Sequence, residues 1–125
     1  MPIRRLIGVY DADAGLTGEL RYLVSKLRGR GHCSLCEITH GSLREKAAFR
    51  QCRARLGVPM ELLHRNQRGD VAGGFDGDLP YVLAEAGGGL VCLLDAMALE
   101  ECHGDVDAFE RSLHAAATAN GLLLR

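Results

Sequence analysis

Apolar residues gather at Leu6, Ile7, Val9 and Tyr10 and then give way to Asp11-Ala12-Asp13. A short run apolar on both faces predicts a central strand, and its acidic end predicts a loop. Leu20, Leu23, Val24 and Leu27 follow at helical spacing, with Thr17 as a capping residue and Gly29 and Gly31 as stops. Ser42 and Glu45 form a capping box, so a second helix is expected from near Leu43, turning Ala48, Phe49, Cys52 and Leu56 inward. Gly57-Val58-Pro59 ends it, and MELLHRN, residues 60–66, reads as a short strand before a glycine-rich polar loop. Two β-type runs then flank Gly87-Gly88-Gly89, which is a hairpin signature. A helical turn is expected over Met97 to Cys102, broken by Gly104. A last helix then starts at Asp105 or Asp107, buries Val106, Phe109, Leu113 and Ala116, and closes at Asn120-Gly121.

Residues 32–40, HCSLCEITH, carry the densest chemistry. The leading reading is a buried strand between the first two helices, because cysteine packs like a small hydrophobe and Ile38 and Thr39 are β-branched. In a strand, Cys33 and Cys36 stand ~10 Å apart, at about 3.3 Å per residue. That exceeds the ~7 Å a disulfide tolerates. A straight strand likewise spreads His32 and His40 over ~26 Å. In a helical turn the two cysteines come to ~5–6 Å, and dithiol chemistry opens. A knuckle-like turn could instead gather His32, Cys33, Cys36 and His40 around tetrahedral zinc or copper(I); a second cysteine pair is missing, and His64 or His103 could complete a site from elsewhere.

The element order predicts one α/β domain over residues 1–125, a sandwich with right-handed crossovers. Its second half, from Leu79-Pro80 through the glycine hairpin to the final helix, resembles the thioredoxin-like superfamily, and the strand–helix–strand–helix first half agrees. The resemblance implies a three-layer α/β/α sandwich, a mixed sheet of 4–5 strands, and a cis proline at Pro80 before the hairpin. Thioredoxin-like enzymes carry Cys-x-x-Cys where the first strand meets the first helix. Here that place holds Asp11-Ala12-Asp13-Ala14, and Cys33-Ser34-Leu35-Cys36 comes about one helix later. A looser likeness is to the DCC-type thiol oxidoreductases, through Tyr10-Asp11 and Cys33-Ser34-Leu35-Cys36, with twenty-one residues between.

Ligands of open α/β sheets gather beyond the carboxyl ends of parallel strands. Three expected strands end in polar groups: Asp11 and Asp13, then Thr39 and His40, then His64 and Arg65. If all three run parallel, these residues share one rim, where two carboxylates and two imidazoles suit a divalent metal or a shared proton. The expected function is therefore a small binding domain for a metal, zinc or copper, or for a small anion. Asp11, Asp13, His40 and His64 form its rim, with Cys33 and Cys36 as soft ligands. The runner-up is a thiol-disulfide oxidoreductase with Cys33 attacking and Cys36 resolving. A third reading is a protein-interaction module using the basic second helix, with Arg44, Lys46, Arg50, Arg53 and Arg55.

Composition trims these classes. A net charge of −1 and 5% aromatics without tryptophan argue against a nucleic-acid surface. No apolar run approaches the ~18 residues of a membrane span, and LIGVY is short for a signal-peptide core. The reading is a cytoplasmic protein, in which five cysteines are not a disulfide framework. Cys52, Cys92 and Cys102 fall in helix or strand patterns and are expected in the core.

Overall fold

The computed structural model describes residues 1–10, 34–39, 46–63 and 78–124. Among these, β1 (Arg5–Val9), β2 (Met60–Leu63), β3 (Tyr81–Ala86) and β4 (Gly89–Leu94) form one sheet in the order β2-β1-β3-β4. β1 pairs parallel with β2 and antiparallel with β3, and β3 pairs antiparallel with β4. The protein is thus mixed α/β on a four-stranded mixed sheet. β1 is central, and Leu6 to Val9 are all buried, as a run apolar on both faces requires. Gly87 and Gly88, at φ 59° and 81°, make the β3–β4 turn, which needs positive φ at both central positions. The Leu79–Pro80 peptide bond is cis.

Residues 34–39 are helical, not the expected strand. This helix, α1 (Ser34–Thr39), buries Leu35, Ile38 and Thr39. Those residues stand at i, i+3 and i+4, one helix face. Packing of that face outweighs the β-branched preference of Ile38 and Thr39, a routine tertiary override of a weak propensity. The strand beside β1 is therefore β2, in the register Leu6–Met60 to Val9–Leu63.

The second expected helix starts later than its capping box suggested. It is α2 (Ala47–Leu56), with Lys46 at its N-cap in extended conformation (ψ 139°), so helix cannot run back through residue 46. Ser42 and Glu45 lie outside the described residues. Phe49, Cys52 and Leu56 face inward as expected, whereas Ala48 is exposed. Gly57, in the left-handed region at φ 72°, ends the helix. After the hairpin come α3 (Ala96–Glu100), capped by the Asp95 carboxylate accepting from the Ala98 N–H at 2.8 Å, and α4 (Val106–Ala119). On α4 the buried line is Val106, Phe109, Leu113 and Ala117; Ala116 is only partly covered.

One core lies between the sheet face of Leu6, Val82 and Ala84 and the inner faces of α1, α2, α3 and α4. Ile7, Val9, Tyr81 and Leu83 form a second cluster on the opposite face, and no described helix contributes to it. The helix expected at Leu20 to Leu27 lies outside the described residues. No described helix is long and apolar enough to cross a membrane.

α2 and α4 are also joined at the surface. Arg55 donates to both carboxylate oxygens of Glu110, from Nη2 at 2.7 Å and Nε at 3.2 Å. The Arg55 hydrogen bonds hold the Glu110 carboxyl below its ordinary value of 4.5. A carboxyl with a depressed folded-state pKa contributes stability above the unfolded value, and this is lost as pH falls through the folded one. Arg55→Ala is expected to make the loss of stability below pH 4.5 shallower. Urea unfolding of both proteins across the acid range checks this, and parallel curves would refute it.

Candidate functional site

The carboxyl ends of β1 and β2 lie side by side, since Val9 is in register with Leu63 and the Tyr10 N–H donates to the Leu63 carbonyl at 2.8 Å. β3 starts at the same end, with Tyr81 opposite Val9 and the cis proline just before it. The Tyr10 side chain turns into the helix-covered core, where its hydroxyl bonds the Thr39 hydroxyl at 2.9 Å. Both residues are almost fully buried, at 2% and 0% exposure. A buried hydroxyl needs a partner, so this bond fixes the last turn of α1 against the end of β1.

Close approach of α1 to the sheet depends on Gly8. A Cβ there would stand 3.0 Å from Leu62 Cδ2 and 3.2 Å from Leu35 Cδ2. Beyond α1, the Lys46 N–H donates to the Thr39 carbonyl at 2.8 Å, which sets the start of α2 against the end of α1 at one point. The Lys46 ammonium donates to the Gly104 carbonyl at 2.8 Å and ties that point to the α3–α4 turn. In this turn His103 is exposed and left-handed, at φ 50°.

Of the sequence-predicted site residues, Cys36 is in α1, while Asp11, Asp13, Cys33, His40 and His64 lie outside the described residues. The expected rim of three parallel strands is corrected to two, β1 and β2, with α1 in place of the third. Among the described residues no three His, Cys, Asp or Glu side chains are grouped to hold a metal. Sequence reasoning missed the Tyr10–Thr39 bond; the signal for it was the helical spacing of Leu35, Ile38 and Thr39.

The three remaining cysteines are free thiols, Cys52 and Cys102 buried and Cys92 half-buried. Burial pushes Cys52 up to about 11, with the nearby Glu110 carboxylate adding to the effect. Burial also raises Cys92 and Cys102. The thiolate is the nucleophile and the metal ligand, so these three stay protonated and inert at neutral pH. On the basic helix, Arg55 pairs with Glu110, Arg53 donates to the Met60 carbonyl, and Arg50 stands exposed. An open groove of about 620 Å³ lies between β4 and α3, lined by Asp78, Cys92, Leu93, Asp95, Met97 and their neighbours.

No protein-family model matches the chain, and no curated protein or solved structure is significantly similar to it.

Proposed function

We propose that this chain is a small thioredoxin-like domain that binds a metal ion, zinc or copper(I), at the carboxyl-end rim of β1 and β2. The fold reading is supported by the strand order β2-β1-β3-β4 with β3 antiparallel to β1, and by the cis bond before the hairpin. The three-layer form of this reading calls for a helix over the cluster of Ile7, Val9, Tyr81 and Leu83, to which no described helix contributes.

The site rests on one observation: Tyr10 is hydrogen-bonded to both Leu63 and Thr39. The next residues in the chain are Asp11, His64 and His40 respectively. Each follows by one peptide step, about 3.8 Å between Cα atoms, a residue of this bonded set, in which the Tyr10 backbone joins the ends of β1 and β2 and its hydroxyl joins the end of α1. Cys36 of the same short helix, and Cys33 next before it in sequence, are the soft donors of this reading, suited to zinc or copper(I). Asp13, two residues after Asp11 in sequence, adds a carboxylate.

Untagged protein, loaded with Zn²⁺ or Cu(I) and desalted, is expected to hold close to one equivalent by elemental analysis. The double variant Cys33→Ser/Cys36→Ser is expected to hold none, and His40→Ala and His64→Ala to bind more weakly than wild type. A wild-type protein that takes up neither metal on titration would sink the proposal.

A second reading is favoured by the helix at residues 34–39. Helical spacing brings positions i and i+3 to about 5–6 Å, within reach of a disulfide. In this reading the Cys33 thiolate attacks a substrate disulfide, forming a mixed disulfide and expelling one substrate thiolate. Cys36 then displaces the second substrate thiol, leaving the 33–36 disulfide. Mild oxidation of the folded, metal-free protein should form that disulfide, detected by mass after alkylation; its failure to form removes this reading.

A further inference from the structure

Among the described residues, the strand order leaves β4 at one edge of the sheet, paired on one side only, with β3. Edge strands in stable monomers are guarded by lysine, by proline, by a bulge or by a covering loop, because an open edge accepts another strand. Gly89-Leu-Val-Cys-Leu-Leu94 carries no charge and no proline. Its one irregularity, a register shift opposite Val82/Leu83, sits toward its carboxyl end, so Gly89 to Cys92 run regularly against Ala86 to Leu83. Among the described residues, no backbone hydrogen bond outside the sheet ladder involves residues 89–94. Leu90 is 42% exposed, and Met97, just past the strand, is 73% exposed. These are two of the four large apolar side chains exposed among the described residues.

We propose that β4 is a homodimerisation strand. Two copies join their β4 edges antiparallel about a two-fold axis, so that two four-stranded sheets become one continuous sheet. The surface complements itself, which is what a two-fold contact demands. Residues opposed across an antiparallel pair share a face of the sheet. Leu90 and Cys92 do share one, since they oppose Glu85 and Leu83 on β3. With Val91 set against its own copy, Leu90 comes opposite Cys92 of the second copy. Cys92 lines the open groove with Leu93, Ala96 and Ala98. The exposed leucine of each copy therefore meets Cys92, one of the apolar residues that line the other's groove beside Asp78 and Asp95, twice per dimer. Charge permits the arrangement. The carboxylate next to β4, Asp95, comes toward the uncharged Gly87–Gly88 turn of the second copy rather than toward a like charge.

Sedimentation of the wild-type chain is expected to show a dimer that dissociates on dilution through the micromolar range. Leu90→Lys, a guarding charge on the edge, should raise the dissociation constant by roughly tenfold or more. Leu90→Thr, an uncharged strand former that gives up the leucine contact but adds no charge, should raise it less than Leu90→Lys does. Circular dichroism confirms that both variants fold. Amide exchange of the wild type needs no variant: exchange in residues 89–94 should slow as protein concentration rises. A monomer at every concentration, a Leu90→Lys protein as dimeric as wild type, or β4 exchange indifferent to concentration overturns the proposal.

Discussion

Phe109→Ala is expected to lower the unfolding free energy by about 3–5 kcal/mol, the usual cost of emptying a buried aromatic site. Phe109 is fully buried on α4 and meets Phe49 of α2 with ring centroids 6.2 Å apart and planes tilted by 50°. The chain has three phenylalanines and no tryptophan, so this pair supplies much of the bulk between the helices and the sheet. Domains of this size are stable by about 5–15 kcal/mol, so one such cavity removes a large share. Guanidinium unfolding measures it as a fall in midpoint at unchanged slope, and Phe109→Leu, which keeps most of the volume, should cost far less. A loss below about 1 kcal/mol for Phe109→Ala would mean that α4 is not packed on α2 in this way.

Gly8→Val should cost about 1–3 kcal/mol by overpacking, and it should also weaken whatever the α1 rim binds. Gly8 is buried in the middle of β1, with the ends of Leu62 and Leu35 closing over it. Gly8→Ala needs only a few tenths of an ångström from two flexible side-chain ends and is expected to be mild. Valine adds two γ-methyl groups to the same space and drives Leu35, and α1 with it, off the sheet. Tyr10 and Thr39 then lose their hydrogen-bond geometry, and the proposed ligands beyond them lose their convergence. Unfolding curves and zinc titrations of the two variants separate the effects. A Gly8→Val protein as stable as wild type would show that α1 does not seat on β1.

Much of the fold is legible along the chain because its signals are local. The two-sided apolar run at Leu6 to Val9, the glycines of the hairpin, the stop at Gly57 and the spacing of Val106, Phe109 and Leu113 each encode an element within a few residues. α1 is not legible in this way. A helix of six residues is too short to hold itself together in water, and two of the three residues that bury it are β-branched. Leu35, Ile38 and Thr39 become a helix face because Gly8 and Tyr10 offer them a surface.

The candidate site divides along the same line. Polar residues after Tyr10 and Leu63, and the cysteines and histidines of residues 32–40, are visible as chemistry in the sequence alone. So are the apolar, chargeless composition of β4 and the amphipathic patterns of α2 and α4. What brings the strand ends together is the parallel register of Val9 with Leu63 and the bond from Tyr10 to Thr39. Those contacts join residues dozens of positions apart, and their cost in chain entropy is met only when the whole core closes. Local pattern therefore determined the other elements and which groups they carry; tertiary packing decided that residues 34–39 form a helix, that β2 lies beside β1, and that β4 lies at an edge of the described sheet.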